Sequence, residues 1–166
     1  YEQDKNIRLI VVGAGNFERY EQFMKRRGAD VTFKSNVPYE ELPRYHNSAD
    51  IFCSPATGNE SQGIAILEAM AAGIPVVASN IDGFAGVITD EFDGLLVKPK
   101  SEDAITNAVL RLRNDPLLRK NLGKRGQLQA QSYSWNSVAR KVIAYYERLQ
   151  YEKQQFESIQ KASHDN

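Results

Sequence analysis

Residues 50–79 read DIFCSPATGNESQGIAILEAMAAGIPVVAS, and the punctuation of this stretch decides the fold. Asp50–Cys53 is a short apolar run cut off by Ser54-Pro55, the pattern of a strand running into a loop. Ala56–Gln62 is polar and carries glycine. Gly63–Ala72 is rich in Ala, Leu and Met, as helices are, with Gly73 just past its end and Pro75 beyond it as a stop. Pro75–Ser79 is a second short strand. A strand, a helix and a strand in this order form a unit of parallel sheet.

The same alternation extends outward. Ile7–Gly13 is nearly all apolar and reads as a strand buried on both faces. Asn16–Arg27 reads as a helix with Phe17, Tyr20 and Phe23 or Met24 on one side, ended by Gly28. Asp30–Lys34 is a further strand, Tyr39–Asn47 a short helix, and Leu95–Val97 a strand entered from the Asp93-Gly94 turn. Ser101 caps a helix that reaches Asn114, with Glu102 and Asp103 in its favourable first turn. Asp115-Pro116 starts another, with Asp at the N-cap and Pro at N1. Trp135–Leu149 is the last, with Val138, Val142, Tyr145, Tyr146 and Leu149 at helical spacing. The expected class is α/β, a Rossmann-like parallel sheet with helices on both faces. The expected organisation is one domain over residues 1–150 and a polar, frayed or disordered tail over 151–166.

Composition narrows the function. The 166 residues are 42% apolar and 25% charged, a globular mixture. Lys plus Arg and Asp plus Glu are both 21, so a strongly basic nucleic-acid protein is excluded. One cysteine, Cys53, excludes an intrachain disulfide framework and suits a reducing compartment. His46 and His164 lie far apart, so no catalytic zinc is expected. No apolar run approaches the ~20 residues of a membrane-spanning helix, and there is no signal-peptide pattern. The neutral total conceals an asymmetry. Residues 1–100 carry 10 basic and 14 acidic side chains, and residues 101–166 carry 11 and 7. The basic helices are either solvated faces or face something anionic, such as lipid or a partner.

In open parallel sheets ligands bind beyond the carboxyl ends of the strands, which points to Gly13–Asn16, Ser35–Pro38, Ser54–Gln62 and Ser79–Phe84. Gly13-Ala14-Gly15 opens like a dinucleotide fingerprint, but its third glycine is replaced by Glu18. A carboxylate there is badly placed for a pyrophosphate, so a nicotinamide or flavin dinucleotide is disfavoured. No phosphate-binding G-x-x-x-x-G-K-[ST] loop is present. Glu60 and Glu68 lie eight positions apart, ~12 Å along a helix axis. That is too far for a carboxylate pair of the retaining-glycosidase kind, ~5 Å apart. They fit two separate contacts on one extended ligand. Between them Gly63-Ile64-Ala65 presents N–H groups at the positive end of a helix, suited to a phosphate or sugar hydroxyl.

Glu60 and Glu68, followed by Ala-Met-Ala-Ala-Gly-Ile-Pro-Val-Val-Ala-Ser, resemble the C-terminal half of retaining, nucleotide-sugar-dependent glycosyltransferases of family 4, glycosyl transferases group 1, with the GT-B architecture. Asp50-Ile-Phe-Cys-Ser-Pro, Gly83, Gly94-Leu-Leu-Val and Tyr133-Ser-Trp135 match that pattern in order, and the likeness runs from about Ile7 to Leu149. Cys53–Phe84 is especially similar to bacterial phosphatidylinositol mannosyltransferases, which use GDP-mannose.

The resemblance implies that the chain is a donor-binding domain for a GDP- or UDP-hexose. Glu60 would act on the donor sugar as the catalytic residue, in a positioning and electrostatic role at least. Ser61, Gln62, Gly63, Ile64 and Ala65 would meet the sugar and diphosphate, and Glu68 the ribose hydroxyls. Asn36, Val37 and Pro38 would line the base, and Gly13, Ala14 and Gly15 would border the nucleotide. It further implies hexosyl transfer with retention, no tightly bound metal or cofactor, and a cytoplasmic place, peripheral at the inner face of the membrane where the acceptor is a lipid. The family's first strand and helix, its Arg and Lys on the diphosphate, and its N-terminal acceptor domain have no counterpart in these residues. The expectation is therefore an incomplete lobe, inactive in isolation. The alternative is a stand-alone nucleotide-binding or interaction module without catalysis.

Overall fold

A computed structural model describes residues 7–164. The chain forms two compact units, Tyr1–Ser48 and Ala49–Asn166.

In the first unit, β1 (Leu9–Gly13) pairs in parallel with β2 (Val31–Ser35), from Leu9 opposite Val31 to Gly13 opposite Ser35. The connecting helix α1 (Glu18–Arg26) carries Glu18 and Glu21 in its first turn and Lys25 and Arg26 in its last, as the helix dipole favours. A 3-10 turn, Tyr39–Glu41, leads into α2 (Leu42–Ser48). β1 corrects the expectation of a strand buried on both faces. Leu9 and Ile10 are 43% and 42% exposed, because among the described residues β1 has β2 as its sole strand partner.

In the second unit, β3 (Phe52–Ser54), β4 (Val76–Ser79) and β5 (Leu95–Val97) form a parallel sheet in that order. All four residues of β4 are buried, as befits a central parallel strand. Its side chains alternate between two cores. Val76 and Ala78 pack with Ile66, Ala69 and Met70 of α3 (Ile64–Ala71), with Phe84 of α4 (Asp82–Ala85), and with Val87 and Ile88. Val77 packs with Leu95, Val97, Ala108 and Leu112 of α5 (Glu102–Asn114), and Leu122 of α6 (Pro116–Gln131). Each large side chain so buried contributes about 1.5–3 kcal/mol. Helices on both faces of a parallel sheet are the expected α/β class.

Two caps read from the sequence are formed. Ser101 Oγ accepts from the Ala104 N–H at 3.2 Å, and Asp115 Oδ1 from the Leu118 N–H at 2.8 Å. Helix α6 lies close against the end of α3. A side chain at Gly123 would strike the Gly73 carbonyl, and Gln127 Nε2 donates to the Ala71 carbonyl at 3.1 Å, satisfying an end-of-helix acceptor.

The last helix, α7 (Trp135–His164), is longer than the Trp135–Leu149 segment expected. The residues expected as a tail, 151–166, are helical through His164, and 165–166 lie outside the described residues. No Pro or Gly interrupts the segment, and the i,i+4 pairs Arg148–Glu152 at 3.5 Å and Lys153–Glu157 at 3.9 Å support it. Its apolar side chains are not packed as a core face: Val142, Ile143, Tyr145 and Tyr146 are all exposed.

Candidate functional site

In the second unit the chain leaves β3 at Ser54 and returns as α3 at Ile64. The intervening loop is tightly constrained. Gly58, Asn59 and Gly63 all have positive φ, at 156°, 62° and 67°. Asparagine is among the few residues that tolerate this region, and the residue that follows it is Glu60. Gly63 is the N-cap of α3 in left-handed geometry and has no side chain with which to cap. Its carbonyl accepts from Ile66 N–H at 2.9 Å and Leu67 N–H at 3.2 Å. The N–H groups of Ile64 and Ala65 make no hydrogen bond among the described residues. The helix end therefore offers free donors and a partial positive charge at the carboxyl edge of the sheet.

Glu60 is exposed on the loop, and Glu68 is half-buried in the second turn of α3. Ser61, Gln62, Ile64 and Ala65 are exposed between them, while Gly63 is buried. The predicted residues of this segment thus share one loop and one helix end, with Glu60 before the donor pair in sequence and Glu68 one turn beyond it. Sequence reasoning missed one feature here. At the carboxyl end of β4 the Ser79 hydroxyl is fully buried and has no hydrogen-bond partner. The signal was a serine closing an otherwise apolar strand.

The other predicted residues lie in the first unit. Gly13 ends β1, Gly15 follows with φ 115°, and Asn36 follows β2 with φ 53°. The Asn36 N–H donates to the Gly13 carbonyl at 3.2 Å, which brings Gly13–Gly15 and Asn36–Pro38 together at one end of the strand pair. A hollow of about 300 Å³ opens there, lined by Gly15, Asn16, Phe17, Glu18, Glu21 and Phe33, with Ser35 at its edge. The Phe17 and Phe33 rings are 5.3 Å apart. Asn16 Oδ1 already accepts the Glu18 N–H at 2.8 Å, and Glu18 and Glu21 are acidic. The start of α1 is thus unsuited to a phosphate, whereas the start of α3 is suited to one.

Among the described residues no group of three or more His, Cys, Asp or Glu could hold a metal ion. Burial pushes the Cys53 thiol up to about 11, away from the thiolate form that a nucleophile needs. No helix among the described residues is long and apolar enough to cross a membrane.

A Rossmann-like parallel α/β unit thus presents, at the carboxyl edge of its strands, a loop and helix start with free N–H groups and two nearby glutamates in the sequence. The family model for glycosyl transferases group 1 matches residues 1–129, and the chain belongs to that family. It is 33% identical over 144 residues to a phosphatidyl-myo-inositol mannosyltransferase of Mycobacterium leprae, covering 87% of this chain and 38% of that protein. The chain thus spans well under half the length of the curated relatives it matches. Sucrose-phosphate synthase from Thermosynechococcus elongatus superposes with a TM-score of 0.75 at 29% identity, covering 87% of this chain and 39% of its own. Anabaena HepE, solved with UDP-glucose, superposes with a TM-score of 0.77 at 20% identity, covering 87% and 42%. These neighbours are GT-B glycosyltransferases, and the α/β fold is theirs in part.

Proposed function

We propose that these residues bind the donor in a glycosyltransferase that moves a hexose from a nucleotide sugar to an acceptor with retention. The observation that carries this is the α3 entry: two free backbone donors, Ile64 and Ala65, between the carboxylates of Glu60 and Glu68. The donors suit the diphosphate and the sugar oxygens. A carboxylate at Glu68 suits vicinal ribose hydroxyls, and one at Glu60 suits the sugar. During transfer the diphosphate leaves with its charge held by oriented N–H groups, and no bound metal is needed for that stabilisation. Glu60 holds the sugar and offers negative charge beside the developing oxocarbenium. Gly13–Gly15 and Asn36–Pro38, which lie together at one end of the first unit's strand pair, are proposed on the family resemblance alone as contacts of a nucleotide.

Two relatives bear on the donor. The likeness to phosphatidyl-myo-inositol mannosyltransferases supports a mannosyl donor and a phosphatidylinositol acceptor; GDP-mannose as that donor, and a cytoplasmic place peripheral at the membrane, complete the proposal. The neighbour solved with UDP-glucose supports the broader class of nucleotide hexoses. A second reading, a binding module without catalysis, draws on one observation: residues 45–97 contain no Lys or Arg to clamp a diphosphate.

Calorimetric titration of the 166-residue chain with GDP, UDP and ADP, and with GDP-mannose and UDP-glucose, tests the proposal. It predicts binding of one nucleoside diphosphate and its sugar in preference to the others. Equal absence of heat with all five ligands would refute it.

A further inference from the structure

Helix α4 is short, and its placement is over-determined. Phe84 is 1% exposed, and at the helix's far end the Tyr133 hydroxyl donates to the Gly86 carbonyl at 3.1 Å. Against this fixed element the donor loop makes two close approaches. The Glu60 carbonyl lies directly over Gly83, along the direction a side chain there would take, and the Ser61 backbone carbon is 3.2 Å from the same point. A side chain at Gly63 would in turn meet the Phe84 ring at 2.9 Å. Two glycines and one ring thus interlock the Glu60–Gly63 segment with Gly83-Phe84. No hydrogen bond between α4 and Glu60–Gly63 is present among the described residues. The loop is seated by close contact with the Gly83 backbone and the Phe84 ring.

We propose that Gly83 and Phe84 are positioning residues: they seat Glu60 and the left-handed Gly63 so that the Glu60 carboxylate and the Ile64 and Ala65 N–H groups converge on one ligand. The proposal rests on the donor-binding reading of that loop. A methyl group at position 83 forces either the loop or α4 to move. The loop yields, because α4 is anchored by a buried ring and a tyrosine tether. Gly86 is the internal control. It sits at the end of the same helix with φ −72°, and a side chain there meets its nearest neighbour at an ordinary 3.4 Å.

The test compares Gly83→Ala, Gly86→Ala and Phe84→Leu in the 166-residue chain. Without ligand, amide NMR should show resonances of residues 60–65 displaced in Gly83→Ala and left in place in Gly86→Ala. If Gly83→Ala does not fold, Phe84→Leu should displace Gly63–Ala65. Unmoved 60–65 resonances in whichever of these two variants folds would overturn the proposal. With ligand, Gly83→Ala should weaken UDP-glucose relative to UDP, or GDP-mannose relative to GDP, by roughly tenfold, the scale of one lost hydrogen bond to a charged group. A proportionate loss of sugar nucleotide and nucleoside diphosphate would mark a merely structural role and overturn it. A wild-type chain that binds none of these ligands would overturn the donor-binding reading, while the ligand-free comparison still judges the interlock.

Discussion

Glu68 projects from the second turn of α3, half-buried, while Glu60 stands exposed on the loop before it. On the proposed function the two carboxylates have different tasks. A half-buried carboxylate that accepts from ribose hydroxyls contributes about 1.5–3 kcal/mol. Glu68→Ala should weaken nucleoside diphosphate binding roughly ten- to a hundredfold on that scale. Glu60→Gln should affect the sugar nucleotide and leave the nucleoside diphosphate nearly unchanged. Calorimetry with both ligands separates the two, and a Glu60→Gln loss shared equally by both would assign Glu60 to the nucleotide instead. Cys53 gives an independent check. With its thiol raised to about 11 by burial, it should react with a maleimide far more slowly than free cysteine at neutral pH. Fast labelling of the folded chain would contradict the raised thiol value. The acidic pair and the donors between them were legible in the sequence, because glycine before a helix and flanking carboxylates are local signals. The Gly83 contact and the orphaned Ser79 hydroxyl were not, since each depends on atoms brought near from another part of the chain.

The elements were legible where their ends carry chemistry. Ser101 and Asp115 announce their helices and do cap them. Removing such a cap costs ~1 kcal/mol, so Asp115→Ala should lower stability by about that much in denaturant unfolding. Gly123→Ala should cost more, because the new methyl would strike the Gly73 carbonyl across the α3–α6 contact. Helix α4 went unread because four residues beginning Asp-Gly show no periodicity. The Leu9–Gly13 strand was overread, since an apolar run predicts a buried strand only where both faces find cover. The turn before β5 carries a pH signature. Burial pushes the Asp93 carboxyl above the ordinary range, and the Thr89 N–H, donating at 2.7 Å, pulls it partly back. A carboxyl raised on folding favours the folded state on the acid side, and that contribution is lost as pH rises through the folded value. Asp93→Asn keeps the acceptor and removes the charge. It should therefore match or exceed wild type in melting temperature at about pH 7 and lose that advantage toward about pH 4. A variant that is relatively worse at neutral pH would reverse this account.

Across the whole molecule, the zero net charge is the sum of an acidic first hundred residues and a basic remainder. Lys and Arg are absent from residues 45–97, so on the proposed function the loop before α3 has backbone N–H groups and carboxylates, and no cation of its own, with which to meet a ligand. The fold class and family were readable from the order of strands, helices and glycines. The division at Ser48 was not, because nothing in the composition changes there. The length of α7 was also missed, since a polar sequence rich in Glu, Gln and Lys suits an exposed helix as well as a tail.

The central claim is that the entry of α3 holds the diphosphate of a nucleotide sugar. It is tested most directly by amide NMR of the labelled chain during titration with GDP-mannose and UDP-glucose. The account predicts that the Ile64 and Ala65 resonances shift most, saturably, and that Glu68→Ala weakens the response. Saturable binding that shifts other amides while Ile64 and Ala65 stay unmoved would contradict it.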